Sequence, residues 1–135
     1  MNLKNNLRLY FNMQKVLLIG DPESGKTSWL KWKVSREVRY QPRYVPTIGC
    51  DVNNIIENGR EFSVWDTAGH EKFGRLKYGY YIGADIFILV CHNFEDTKTT
   101  ILEECSKYGV EVKPTARFVH CLPRNIPDDV LTLEV

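Results

Sequence analysis

Apolar positions along the chain form two kinds of run. Val16-Leu-Leu-Ile19, inside a first strand at Lys15–Ile19, and Ile86-Phe-Ile-Leu-Val90 are unbroken, as in strands buried on both faces. Arg117–Cys121 is the last parallel-strand candidate. Cys50–Ile56 and Glu61–Trp65 flank Glu57-Asn-Gly-Arg60, and Asn-Gly between two apolar-leaning runs predicts a tight antiparallel hairpin. Other stretches carry the helical period. Trp29, Leu30 and Val34 give a helix from about Lys26 to Arg36 its inner side. Trp32 is expected to be partly exposed on that helix, and Lys31, Lys33 and Arg36 to form a solvated face. Ile101, Leu102, Cys105 and Tyr108 line a second helix, capped by Asp96 or Thr97 and stopped by Gly109. Leu76–Ile82, with Tyr78, Tyr80 and Tyr81, reads as a short irregular packing helix. Strands alternating with helices predict an α/β fold. Its sheet is mostly parallel, helices lie on both faces, and ligands bind at the carboxyl ends of the strands.

Residues 1–13 are polar and rich in Asn, and read as a flexible extension with loose helical spacing. Residues 14–122 carry the regular elements and form the domain. Tyr40–Gly49 holds two prolines and reads as a loop with extended pieces. Residues 123–135 form a tail in which Val130-Leu-Thr-Leu-Glu-Val135 alternates, as a short edge strand would. Its spacing from Arg117–Cys121 is too short for a helical crossover, so any pairing there should be antiparallel.

Composition narrows the function. A net charge of +1 gives no argument for nucleic-acid or membrane attraction. Cys50, Cys91, Cys105 and Cys121 are widely spaced with no Cys-x-x-Cys pair, which predicts a reduced, intracellular protein with neither a disulfide framework nor a zinc site. No apolar run approaches membrane-spanning length, and the final Leu-Glu-Val is no prenylation box.

The chemistry sits behind the first strand. Gly20-Asp-Pro-Glu-Ser-Gly-Lys-Thr27 is Gly-x4-Gly-Lys-Thr, the spacing of a phosphate-cradling loop. Its glycines let successive N–H groups point into one anion-sized nest, and the following helix adds its positive end. Lys26 can reach terminal phosphates, and the Thr27 hydroxyl can sit on Mg²⁺. Asp66-Thr-Ala-Gly69 at the end of a strand is a second phosphate-site pattern. Asp66 there reaches the metal shell and the Gly69 N–H a terminal phosphate.

These residues resemble a small GTPase of the Ras superfamily. GDPESGKT looks like the first nucleotide motif, Tyr44-Val-Pro-Thr-Ile-Gly49 like the first switch, and WDTAGHEKF like the start of the second. Within the superfamily, Trp65–Ile82 is most similar to the Ran group, through its Glu-Lys-Phe-Gly and Gly-Tyr-Tyr-Ile portions. The likeness covers about residues 14–90. It implies an incomplete P-loop NTPase G domain that binds GDP or GTP with Mg²⁺. Gly20, Asp21, Pro22, Glu23, Ser24 and Gly25 would offer their loop to the phosphates, with Lys26 on the β/γ-phosphates and Ser28 by the α-phosphate. Thr27 and Thr47 would hold Mg²⁺, with Asp66 nearby through water, and Gly69 would sense the γ-phosphate. The resemblance also implies nuclear transport receptors and Ran regulators as partners, engaged through Tyr44–Asp51 and Trp65–Ile82, and a place in the nucleus or cytoplasm.

Four departures qualify it. His70 stands where the family has a water-orienting glutamine, so hydrolysis is expected to be slow or absent. Pro22 and Glu23 replace glycines, removing an N–H and adding bulk and charge. Leu122-Pro-Arg-Asn-Ile126 follows the last strand where the base-reading Asn-Lys-x-Asp should stand, and Asp128 or Asp129 could substitute only if the loop shifts. The chain also stops before the last strand and helices of a complete G domain. A sheet face should then be uncovered unless a homodimer, a partner or Val130–Val135 closes it. Two other readings stand beside the switch: a nucleotide-poor decoy that uses the same surface, and another phosphate-loop enzyme such as a small kinase. The switch pattern and the lack of an Arg-rich lid disfavour the kinase.

Overall fold

Six strands form one sheet in the order β2-β3-β4-β1-β5-β6. They are β1 Met13–Gly20, β2 Arg43–Val45, β3 Cys50–Glu57, β4 Arg60–Asp66, β5 Ile86–Val90 and β6 Arg117–Cys121. The helices are α1 Lys26–Ser35, α2 Tyr78–Tyr81 and α3 Phe94–Lys107. This computed structural model describes residues 13–21, 23–35, 43–45, 50–67 and 78–133. The N-terminal stretch 1–12, the loop positions 40–42 and 46–49, Arg36, Leu76 and Lys77, and the last two residues of the tail fall outside the described residues.

β1 runs parallel to β4 and β5, and β5 runs parallel to β6. β3 is antiparallel to β2 and β4. The hairpin is the one the Asn-Gly pair predicts. Asn58 and Gly59 both take positive φ, 51° and 72°, between the paired residues Glu57 and Arg60. Two left-handed residues give the turn a twist that matches its strands. β5 and β6 are joined through α3, as parallel neighbours require. The sheet is therefore mixed α/β, with the parallel half carrying the phosphate loop.

The period of two along each strand sorts side chains onto two buried faces. Val16, Leu18, Ile86 and Ile88 meet Trp29, Leu30 and Val34 of α1 on one face. Leu17, Phe87 and Leu89 meet Tyr80, Tyr81, Ile101 and Cys105 on the other. Helices thus cover both faces, and Trp32 is 39% exposed, as its position on α1 predicts.

Several elements differ from their sequence reading. β2 is not among them, being an extended piece within the stretch read as a loop with extended pieces. α3 starts at Phe94, not beyond Asp96, because Asn93 is its cap. The Asn93 side chain accepts from the Asp96 N–H at 3.0 Å while its amide donates to the Asp96 carboxylate at 2.8 Å. Leu102 and Tyr108 of this helix are exposed, and only Ile101 and Cys105 of its expected stripe are buried. Gly109 does end the helix region, at φ +70°, with its N–H on the Ser106 carbonyl at 3.1 Å. Lys33 is not solvated. Its ammonium is paired with Glu57 and donates to the Asp128 carbonyl at 2.6 Å.

The tail is not an edge strand. Residues 130–132 turn, and Val130 and Leu131 are wholly buried in the α1-side core. Arg117 on β6 holds this segment by donating to the Leu133 carbonyl at 2.9 Å. Thr132 donates to Glu57 at 3.2 Å. A turn wins over a strand here because two adjacent side chains both enter the core, which an alternating strand cannot arrange. Cys105 and Cys121 are buried free thiols and Cys91 is partly exposed. No helix among the described residues is long and apolar enough to cross a membrane.

Candidate functional site

The site lies where β1 and β4 end side by side. Leu18 is level with Asp66 in the parallel register, and Thr67 donates through Oγ1 to the Leu18 carbonyl at 2.9 Å. This bond fixes the end of β4 against β1. It brings the Asp66 carboxylate to the first turn of α1, where Thr27 Oγ1 donates to Asp66 Oδ2 at 3.0 Å.

Between β1 and α1 the chain folds back tightly. The Ser24 N–H donates to the Asp21 carbonyl at 3.0 Å, and Gly25 takes φ +86°. Gly20 is sterically fixed. A Cβ there would lie 2.7 Å from the Val90 carbonyl oxygen and 2.8 Å from Ser24 Oγ. The turn carries Lys26 into the protein with no exposed surface, where its ammonium donates to the Asp21 carbonyl at 3.3 Å. α1 has no acidic residue in its first turn, so its positive end remains available to an anion. Ser24 Oγ is buried and has no hydrogen-bond partner among the described residues. A phosphate oxygen in the loop would satisfy it.

Gly20, Asp21, Glu23, Ser24, Gly25, Lys26, Thr27 and Ser28 are therefore one continuous turn and helix start, and Asp66 joins them through Thr27. Pro22, Thr47, Gly69 and His70 lie outside the described residues. The donor set fits a partial seat for Mg²⁺. Thr27 and Asp66 offer hard oxygens, and such sites complete the shell with water and phosphate oxygens. Mg²⁺ held there would neutralise phosphate charge. Among the described residues no cluster of three or more His, Cys, Asp or Glu could hold a metal without that help.

A cleft of about 800 Å³ runs from the loop along α1. The loop contributes Glu23 and Gly25, and α1 contributes Ser28, Trp29 and Trp32. Arg124, Ile126 and Asp128, from the segment after β6, form the other wall. Arg124 is docked on the phosphate loop. Its N–H donates to the Ser24 carbonyl at 2.7 Å and its Nε to the Glu23 carbonyl at 3.4 Å. Arg124 and Ile126 are the residues that motif-reading missed, because the segment departs from the pattern looked for. Their position straight after a parallel strand, at its carboxyl end, was the available signal.

A buried strand, a Gly-x4-Gly-Lys-Thr turn, a helix start and an Asp at the end of the neighbouring strand define a phosphate-loop nucleotide-binding domain of the Ras-like class. Residues 15–118 match the family model for Roc, described as Ras of Complex, Roc, domain of DAPkinase. The chain belongs to that family of Ras-like GTPase domains. The match runs from β1 into β6 and stops short of the segment bearing Arg124 and Asp128.

Proposed function

We propose that the chain is a guanine-nucleotide switch that binds GDP and GTP with Mg²⁺ and turns GTP over slowly. The observation that carries this reading is the Thr27–Asp66 hydrogen bond beside the buried Lys26. It joins the two motifs whose side chains a metal–phosphate site needs together. Lys26 places a fixed positive charge at the terminal phosphates, where charge changes during in-line attack by water on the γ-phosphate. His70 in the water-orienting position keeps that attack slow. The Ran-like wording of Trp65–Ile82 makes nuclear transport receptors and Ran regulators the partners to test, in the nucleus or cytoplasm.

Thermal unfolding with Mg²⁺ and GDP, GTP, ADP or ATP tests the reading. Ligand at 100 times its Kd stabilises by about 2.7 kcal/mol, so guanine nucleotides should raise Tm by several degrees. Lys26→Ala should erase the shift. No shift with any nucleotide would sink the switch reading. It would favour a partner-binding decoy with little nucleotide affinity, a reading that the Glu23 carboxylate at the cleft supports.

A further inference from the structure

The nucleotide reading above leaves open what keeps the far wall of the cleft closed. We infer that Lys33, Glu57 and Thr132 form a latch through which the β3–β4 hairpin sets how long the cleft holds its nucleotide. The inference rests on that nucleotide reading and adds to it a control point outside the phosphate and metal contacts.

Three observations carry it. First, two partly buried side chains join three segments far apart in the chain. The Lys33 ammonium, in the last turn of α1, pairs with Glu57 Oε1 at the end of β3 and donates to the Asp128 carbonyl at 2.6 Å. The other Glu57 oxygen, Oε2, accepts from Thr132 Oγ1 at 3.2 Å. That hydroxyl in turn accepts from the Asn58 amide in the hairpin turn at 3.3 Å. The Lys33 and Glu57 side chains are only 14% and 15% exposed. Removing either one leaves the other's charge uncompensated where water screens it poorly, so the contact opens as a unit. Second, the latch holds the cleft wall at the end that the phosphate loop does not hold. Arg124 ties the start of the wall to the loop, its N–H donating to the Ser24 carbonyl at 2.7 Å. Arg124, Ile126 and Asp128 then line the cleft, and Lys33 takes the segment at Asp128. Loss of this second anchor frees the part of the wall farther from the phosphates. Third, the hairpin grips α1 at both ends. β4 ends in Asp66, which accepts from Thr27 in the first turn, and β3 ends in Glu57, which pairs with Lys33 in the last. The two strands are paired from Val52 with Trp65 through Glu57 with Arg60, so they move together. Drawing the hairpin away from α1 therefore opens the wall, and the nucleotide leaves.

The latch makes Lys33 and Glu57 positioning residues, and two measurements on the full chain test it. Protein loaded with Mg²⁺ and N-methylanthraniloyl-GDP, then chased with excess unlabelled GDP, reads the release rate. Amide hydrogen exchange without nucleotide reads the wall itself. Lys33→Met keeps the apolar stem and removes both bonds. It should speed release roughly 10- to 100-fold, the range that loss of a charged hydrogen bond spans, while association changes little. Glu57→Gln keeps the side-chain shape, which covers the case in which Lys33→Met does not fold. It lies outside the cleft lining, yet it should speed release and raise exchange at the Arg124 amide. Lys33→Arg, which keeps a cation within reach of Glu57, should release slowly like wild type. Ile101→Val, buried on the other face of the sheet, lowers stability without touching the latch and should also release at the wild-type rate. Unchanged release in Lys33→Met and Glu57→Gln, or an Arg124 amide as protected in Glu57→Gln as in wild type, would overturn the inference and leave the nucleotide reading intact. Equal acceleration by Ile101→Val would overturn it too, because release would then follow overall stability. Wild type that takes up no labelled GDP would overturn both, and the loading step would show it.

Discussion

Gly20 and Gly25 are needed for different reasons. Gly25 needs its positive φ, whereas Gly20 needs the absence of a Cβ, because the Val90 carbonyl would stand 2.7 Å away. Gly20→Ala must push β5 backbone aside. We expect it to destabilise by about 1–3 kcal/mol, the usual cost of overpacking, as a lower midpoint in urea unfolding. It should also lose nucleotide-induced stabilisation. Thr27 and Asp66 make a separable prediction. Thr27→Ala removes a hydrogen bond to a carboxylate and should cost about 1.5–3 kcal/mol without changing the fold, but should flatten the Mg²⁺ dependence of GDP affinity. An unchanged Mg²⁺ dependence would remove Thr27 from the metal seat. On the proposed switch reading, His70→Gln would supply a side chain that can accept from water and donate to phosphate together. Single-turnover phosphate release should then rise at least tenfold.

Among the elements, the first strand, the hairpin and β5 were legible because each pattern had one physical solution. Ile86–Val90 is apolar at every position and wholly buried, which only a central strand satisfies. The start of α3 was misplaced by three residues because Asn93, Asp96 and Thr97 are all good caps. Asn93 alone has the extended backbone of a cap, φ −107° and ψ 94°, with its side chain on the Asp96 N–H. The tail was misread because the alternation of Val130–Val135 resembles a strand, while the buried pair Val130–Leu131 behaves as a plug. Leu131→Ala should therefore cost about 2–5 kcal/mol, as for a fully enclosed core leucine. Leu133→Ala, at a 36% exposed position, should cost well under half of that. Equal effects in chemical denaturation would mean that the tail is not seated as described.

For the whole molecule, buried acids shape the alkaline side of the stability profile. Burial, with a smaller contribution from Cys91, raises Cys121 from 9.0 to about 11. Burial and the Glu104 hydrogen bond raise Tyr81 well above the usual phenol range. A raised folded pKa means the native state keeps its proton longer. The stability these groups contribute is complete below their unfolded values and is lost as pH rises through the folded ones. For Cys121 the loss falls between about pH 9 and 11 and amounts to roughly 2–3 kcal/mol. Cys121→Ala should flatten that part of an alkaline stability profile, and Tyr81→Phe the part beginning near pH 10.

The sequence by itself determined the α/β class, the hairpin, the phosphate turn with its Lys26 and Thr27, and the presence of an aspartate, Asp66, at the end of another strand. Those features depend on local period, turn chemistry and motif spacing, all written in short stretches of chain. Tertiary structure alone decided that Asp66 meets Thr27, that Arg124 closes on Ser24 and Glu23, and that Lys33 and the tail hold Asp128 at the cleft. Arg124 and Glu23 are 101 residues apart, and Lys33 and the Asp128 carbonyl 95. Contacts at such separations follow from the order in which the parallel strands assemble, which no local pattern encodes.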